Sequence, residues 1–318
     1  MVTKIFSFFL FATLLLCHGS GPVFAENNSR SLRVALLPVP DVLPVYAARD
    51  KGYFAQLAID VDILRVGSAL ERDQLMQAER IDGMINEISG AASFNRLQNR
   101  VKIISIARFP IDNSPLFRVL GAPGANLRTV SDLEGIPIGI SQNTVIEYIT
   151  TRLLSSEDMA AEAIVYRSVP VLPERLNLLL SGRLGAVTLP DPLATSAIRQ
   201  GAVEIINDAA LGNLSASVIT FSNDSLEKKA AAIRDFMVAW DKAVVEINRN
   251  PDKFRKILLK NIRVPKNVEA DFQVPPFPRK ALPTRVQWED VMTWMVDKKL
   301  LDAPLAYEDS VTPEFLPQ

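Results

Sequence analysis

Two α/β lobes joined by a hinge of two crossing strands are what this chain of 318 residues predicts. A tight strand–helix–strand unit stands near its start, and a second copy of the pattern follows after an offset of 103–104 residues. Two short apolar segments then pass between the copies.

The first unit begins with residues 34–37 (Val-Ala-Leu-Leu), a continuously apolar run expected of a strand buried on both faces. The turn Pro38-Val-Pro-Asp41 follows. Pro44 suits the first turn of a helix, and Gly52 suits the left-handed residue that ends one. Residues 59–64 supply the next strand. A helical crossover implies that the two strands are parallel, and open α/β sheets hold ligands at the carboxyl ends of such strands.

The second copy is in register with the first. At an offset of 103, Glu71-Arg72 aligns with Glu174-Arg175, Leu75 with Leu178, Arg80-Ile81 with Arg183-Leu184, and Met84 with Val187. At an offset of 104, Val34-Ala-Leu36 lies on Ile138-Gly-Ile140. The apolar run 101–106 similarly has a counterpart at 203–206. Four such matches indicate two similar lobes. The expected division is 1–25 as an export signal, 26–115 as the first part of lobe 1, 116–216 as lobe 2, and 217–318 as the return to lobe 1. Residues 114–121 would cross to lobe 2 and 216–222 would return. A long helix follows, with Leu226, Ala230, Ile233, Met237, Trp240, Val244 and Ile247 on one stripe. After the proline-dense stretch 264–283, helical spacing resumes over 288–300, so the chain rejoins the same body. A cleft between two such lobes is a common place for a ligand.

The ends and the composition narrow the function. Lys4, the apolar run 5–16 and Val23-Phe24-Ala25 form a secretory signal with cleavage expected after Ala25; a lipid anchor on Cys17 is the rival. The apolar run is too short to span a bilayer comfortably. Cys17 and His18 are the single cysteine and histidine of the chain, and both would leave with the signal. The remainder then has no disulfide, no thiolate and no imidazole. Soft-metal sites, thiol or Ser–His nucleophiles and histidine proton shuttles are thereby excluded. Loss of Lys4 leaves 34 basic against 36 acidic residues, a balance that offers nothing to nucleic acid. No phosphate loop of the GxxxxGK[ST] kind occurs, so the chain is not itself an ATPase.

Four turns are expected at the cleft: 38–44, Glu87-Ile-Ser-Gly90, Ser141-Gln-Asn-Thr144 and Pro190-Asp-Pro192. Ser141 to Thr144 presents hydroxyls, amides and first-turn N–H groups at the positive end of a helix, which suits an anion or a carbonyl. The same atoms also suit an ordinary helix cap. Glu87 and Asp191 would favour a ligand bearing amines or an aminopyrimidine edge, yet each, like Asp41, also suits a cap or turn. Tyr46 and Tyr148 can stack on a flat ligand or pack half-buried. Trp240 and Trp294 sit on apolar stripes and are expected in the core.

Three stretches carry a family resemblance. They are Val42-Leu-Pro-Val-Tyr-Ala-Ala with Lys51-Gly-Tyr-Phe54, the segment Ile81-Asp-Gly-Met, and Leu133-Glu-Gly-Ile-Pro-Ile-Gly-Ile140 with Asn143-Thr144. They resemble the solute-binding proteins of ABC importers, in the nitrate/sulfonate/taurine and thiamine-precursor group. The resemblance implies a two-lobed, type II-like periplasmic-binding-protein (flytrap) fold in the periplasm. It implies a monomer that is not an enzyme, carries no cofactor, and delivers a small solute to an ABC permease and its ATPase. By position, the ligand-binding turns match Pro40, Asp41, Glu87, Ser89, Ser141, Asn143, Thr144 and Asp191. Glu87 and Asp191 turn the expectation towards a nitrogenous, pyrimidine-like thiamine precursor. The alternatives are a sulfonate, taurine or nitrate binder of the same group, a flytrap-fold enzyme, and a ligand sensor.

Overall fold

The computed structural model describes residues 29–318 apart from 112. The export segment, its expected cleavage after Ala25, and Cys17 lie outside the described residues.

Ten strands form two five-stranded mixed sheets of the same design. The first sheet contains β1 (Ser31–Leu36), β2 (Asp60–Arg65), β3 (Gly83–Glu87), β4 (Val101–Arg108) and β10 (Ser217–Ser222), in the order β2-β1-β3-β10-β4. The second contains β5 (Phe117–Gly121), β6 (Pro137–Ile140), β7 (Val165–Ser168), β8 (Ala186–Pro190) and β9 (Val203–Asn207), in the order β7-β6-β8-β5-β9. β1 pairs in parallel with β2 and β3, as β6 does with β7 and β8. In each sheet the strand arriving from the other lobe is the antiparallel member, β10 in the first and β5 in the second. The internal repeat of the sequence is thus a repeat of whole sheets.

Local sequence explains the elements that place the site. Helix Leu43–Asp50 carries Pro44 in its first turn, and Gly52, at φ +73°, takes the left-handed conformation beyond its end. Its apolar side packs on helix Ala230–Arg249, whose Ile233, Met237, Trp240, Val244 and Ile247 are all buried. The expected long helix is interrupted at Lys229, so Leu226 belongs to a separate short helix, Asn223–Lys228. A second apolar cluster contains residues of both lobes, including Ile88, Ile140, Tyr148, Trp288 and Trp294. Helix Arg285–Asp297, which contributes the two tryptophans, rests on helix Ile88–Asn95 of lobe 1.

The lobes meet along three lines. Residues 109–116 and 208–216 connect them covalently, and the buried Asp208 ties these two segments together. Its carboxylate accepts from the Leu116 and Phe117 N–H groups at 2.9 and 3.1 Å and from Ser215 Oγ at 2.5 Å. On one flank, Tyr148 Oη and Arg152 Nε both donate to Asp290 Oδ2, at 2.5 and 2.8 Å. On the other, Ser196 Oγ donates to Asn267 Oδ1 at 2.8 Å, and Arg199 pairs with Asp271. Asn267 lies in the proline-dense stretch, which therefore runs alongside lobe 2 before the chain returns.

Candidate functional site

All eight residues expected at the site lie at or just beyond the carboxyl ends of strands. Pro40 is buried and opens a short 3-10 turn after β1 (Pro40–Val42), which also carries Asp41. Glu87 closes β3 and precedes helix Ile88–Asn95, whose first turn holds the buried Ser89. Ser141, Asn143 and Thr144 follow β6, and Asp191 follows β8. The helices capped at Glu87 and at Thr144 pack against each other across the lobes.

Within lobe 2 the turn is held by its own atoms. Thr144 caps helix Val145–Ser156, accepting from Ile146 N–H at 3.1 Å while its hydroxyl donates to the Ser141 carbonyl at 2.8 Å. Asn143 adopts the left-handed conformation, φ +59°, and its N–H donates to Glu147 Oε2 at 2.6 Å. Asp191 lies one residue ahead of Pro192, the cap of helix Leu193–Arg199, and accepts from Thr195 N–H and Oγ1 at 3.0 and 2.7 Å. Tyr46 and Tyr148 are buried rather than half-buried, and Trp240 and Trp294 are in the core. Burial and the Asp290 carboxylate hold the Tyr148 phenol well above its ordinary range.

Each of the three expected carboxylates is matched by an arginine. Asp41 Oδ1 lies 3.2 Å from Arg108, Glu87 Oε2 lies 3.2 Å from Arg72, and Asp191 Oδ2 lies 2.9 Å from Arg118. Arg118 also reaches Glu204 at 2.5 Å. Burial pulls the Arg72 and Arg118 guanidinium groups down, but their acidic partners outweigh it, and both end above their ordinary value. Each acid is therefore engaged by a cation, but Glu87 shares Arg72 with Asp73 and Asp191 shares Arg118 with Glu204, so both of those groups keep one negative charge in excess.

One arginine differs. Arg175 is fully buried in helix Leu172–Leu180, and all its partners are neutral. It donates to the Val169 carbonyl and the Thr188 carbonyl, each at 2.8 Å, and to Ser141 Oγ. Burial, with no carboxylate to offset it, pulls this guanidinium down to about 10. Arg72 is its counterpart at the repeat offset of 103, and it donates to the carbonyl of Ile85, the counterpart of Thr188. The acids around Arg72 are Asp73 and Glu87; at the equivalent places lobe 2 has Leu176 and Pro190. The two jaws share a backbone plan but not a charge. In lobe 1 two carboxylates surround the guanidinium, whereas in lobe 2 one without any acid sits directly behind the Ser141 hydroxyl.

The matching pair Glu71-Arg72 and Glu174-Arg175 was visible in the repeat, yet nothing in a linear pattern tells a surface arginine from one folded beneath a ligand turn. Arg108 and Arg118 carried no sequence signal beyond flanking the first crossing. Among the described residues no group of acidic, histidine or cysteine side chains is arranged to hold a metal ion, and no helix is long and apolar enough to cross a membrane.

The family model described as "NMT1/THI5 like" matches residues 39–254, more than half of the chain. No curated protein sequence matches it. Among solved structures, one similar chain is the ligand-binding component of an ABC-type import system from Staphylococcus aureus, with zinc bound. It shows TM-score 0.74 and 13% identity, over 90% of this chain and 97% of that one. The alkanesulfonate-binding protein SsuA from Xanthomonas axonopodis pv. citri, bound to MOPS, gives 0.72 and 14% over 89% and 98%. The desulfurization enzyme DSZB gives 0.63 and 16% over 90% and 97%. At these identities the shared property is the periplasmic-binding-protein fold.

Proposed function

This chain belongs to the NMT1/THI5-like family, and on that premise we propose that it is the extracytoplasmic substrate-binding component of an ABC importer. It holds a small polar organic solute between its lobes and hands it to a permease and ATPase. The solute carries an anionic head that rests on the Ser141–Thr144 turn.

The observation that supports the anionic head is Arg175. A buried cation with only neutral partners is costly, and an anion bound across the Ser141 hydroxyl and the first-turn N–H groups lowers that cost. The nitrogenous class drew its support from Glu87 and Asp191, whose carboxylates are each engaged by an arginine, Arg72 and Arg118, rather than free for a ligand amine. This reading therefore takes the sulfonate-type class weighed from the sequence. The chain is read as a binder and not an enzyme, because described residues 29–318 contain no cysteine or histidine to serve as nucleophile or proton shuttle.

A thermal-shift panel tests the proposal. A small alkanesulfonate at about 100 times its dissociation constant should add about 2.7 kcal/mol of stability, and Ser141→Ala should remove most of that gain. Strong shifts with aminopyrimidines and none with sulfonates would reverse the choice of ligand class. Turnover of a bound solute would sink the binder reading itself.

A further inference from the structure

At the carboxyl ends of β1 and β2, a pocket of about 290 Å³ opens between Pro38, Gly67 and residues 260–263. Lobe 1 alone builds it. Arg65, Lys260 and Arg263 line it, and no acidic side chain does. Among the described residues none of these three cations is ion-paired, unlike the arginines behind the site turns.

One of the three cations and the backbone of the segment that carries the other two are held in place. Arg65 Nη2 donates to Asn261 Oδ1 at 2.6 Å, and its guanidinium lies 5.4 Å from the centre of the buried Tyr46 ring. Asn261 is buried and anchored in turn, donating to the Ile257 carbonyl at 2.8 Å. The Arg263 N–H donates to the Pro38 carbonyl at 3.2 Å, which fastens the cationic segment to the turn after β1. Three like charges around one concavity repel one another, and a bound anion relieves that repulsion.

We propose that this pocket binds a compact dianion, a phosphoryl group either free or on a small ester, at a site distinct from the Ser141 turn. A monoanion would balance one of the three cations, while a dianion balances two. Guanidinium forks match pairs of phosphoryl oxygens, and the pocket leaves room for several atoms beyond the phosphorus group.

Isothermal titration of the intact protein with inorganic phosphate at low ionic strength is the test. Phosphate should bind about tenfold more tightly than methanesulfonate, a monoanion of similar size, because the second charge meets a second cation. Arg65→Gln and Arg263→Gln should each weaken phosphate about tenfold, the scale of a lost charge-assisted contact. Both side chains are solvent-exposed, and circular dichroism of the variants checks that they fold. Glycerol phosphate binding more tightly than phosphate assigns the site to an ester, and the reverse assigns it to the free anion. Ser141→Ala should leave phosphate binding unchanged, so this site and the cleft can fail separately. No phosphate binding, binding that survives both arginine substitutions, or equal affinity for methanesulfonate overturns the proposal.

Discussion

Lys298, just past helix Arg285–Asp297, places its ammonium 2.5 Å from Glu147 Oε1 in the first turn of the lobe 2 helix Val145–Ser156. The other oxygen of that buried carboxylate accepts the Asn143 N–H. One side chain thus connects the turn proposed to hold solute with the opposite lobe.

The two members of this pair are not equivalent. Lys298→Met leaves a buried carboxylate without its cation and should cost about 2–3 kcal/mol. Glu147→Gln leaves the lysine free to reach water and keeps an acceptor for Asn143, so its cost should be smaller. The double variant should recover part of the Lys298→Met loss. Urea unfolding of the three variants measures this, and a larger cost for Glu147→Gln would assign the role to the Asn143 hydrogen bond instead.

Removing the lobe 1 charge next to the site should help an anionic solute. Glu87→Gln leaves Arg72 its contact with Asp73, at 2.9 Å, and withdraws one negative charge from the cleft. Affinity for the alkanesulfonate found in the panel should rise several-fold, about 1 kcal/mol. Weaker binding, measured by titration calorimetry, would mean that the carboxylate itself touches the solute.

The two flanks differ in what parting them exposes. Opening the Tyr148–Asp290 side would expose the buried Tyr148 and Trp294, whose rings lie 5.4 Å apart. The Ser196–Asn267 side rests mainly on polar contacts, including the exposed Arg199–Asp271 pair. Opening should therefore proceed at the second flank. A disulfide joining Ser196→Cys and Asn267→Cys should hold the solute-free protein compact in small-angle scattering, and reduction should enlarge its radius of gyration.

Asp208 gives the segments between the lobes a dependence on pH. Burial pushes its carboxyl up to about 6, although Ser215, the Phe117 and Leu116 N–H groups and Arg108 all favour the ionised form. The folded chain therefore binds this proton more readily than the unfolded chain does. The contribution is fully present below about pH 4 and is lost as pH rises through about 6, for a total near 3 kcal/mol. Relative to the Asp208→Asn variant, the native protein should accordingly melt higher at about pH 4.5 than at about pH 7.5. A difference in Tm that is independent of pH would rule this out.

The fold was legible because its signals are local. The apolar run before Pro38, Pro44 near one helix start and Gly52 past its end each depend on a few adjacent residues, and the repeat is visible because such local runs recur in the same order. The break at Lys229 was not legible, since the apolar stripe continues across it. At the site, the turns could be read but their charge state could not. Whether Glu87 is a free carboxylate depends on Arg72, 15 residues earlier on another element, and whether Asp191 is free depends on Arg118, 73 residues away. Such pairings exist only after the strands are assembled. Arg175 shows the same limit most sharply, because its lack of an acid becomes visible only when Leu176 and Pro190 are seen to occupy the places of Asp73 and Glu87.

The sheet order also dictates when each lobe can be completed. Every strand of the second sheet is available once residue 207 has emerged, so that lobe can close on its own. In the first sheet, β4 reaches its neighbours only through β10, which ends at Ser222. The N-terminal lobe is therefore the last to acquire a finished sheet. A chain made from its N-terminus therefore keeps that lobe's sheet unfinished until every strand of the other has appeared, so the lobe begun first is completed second.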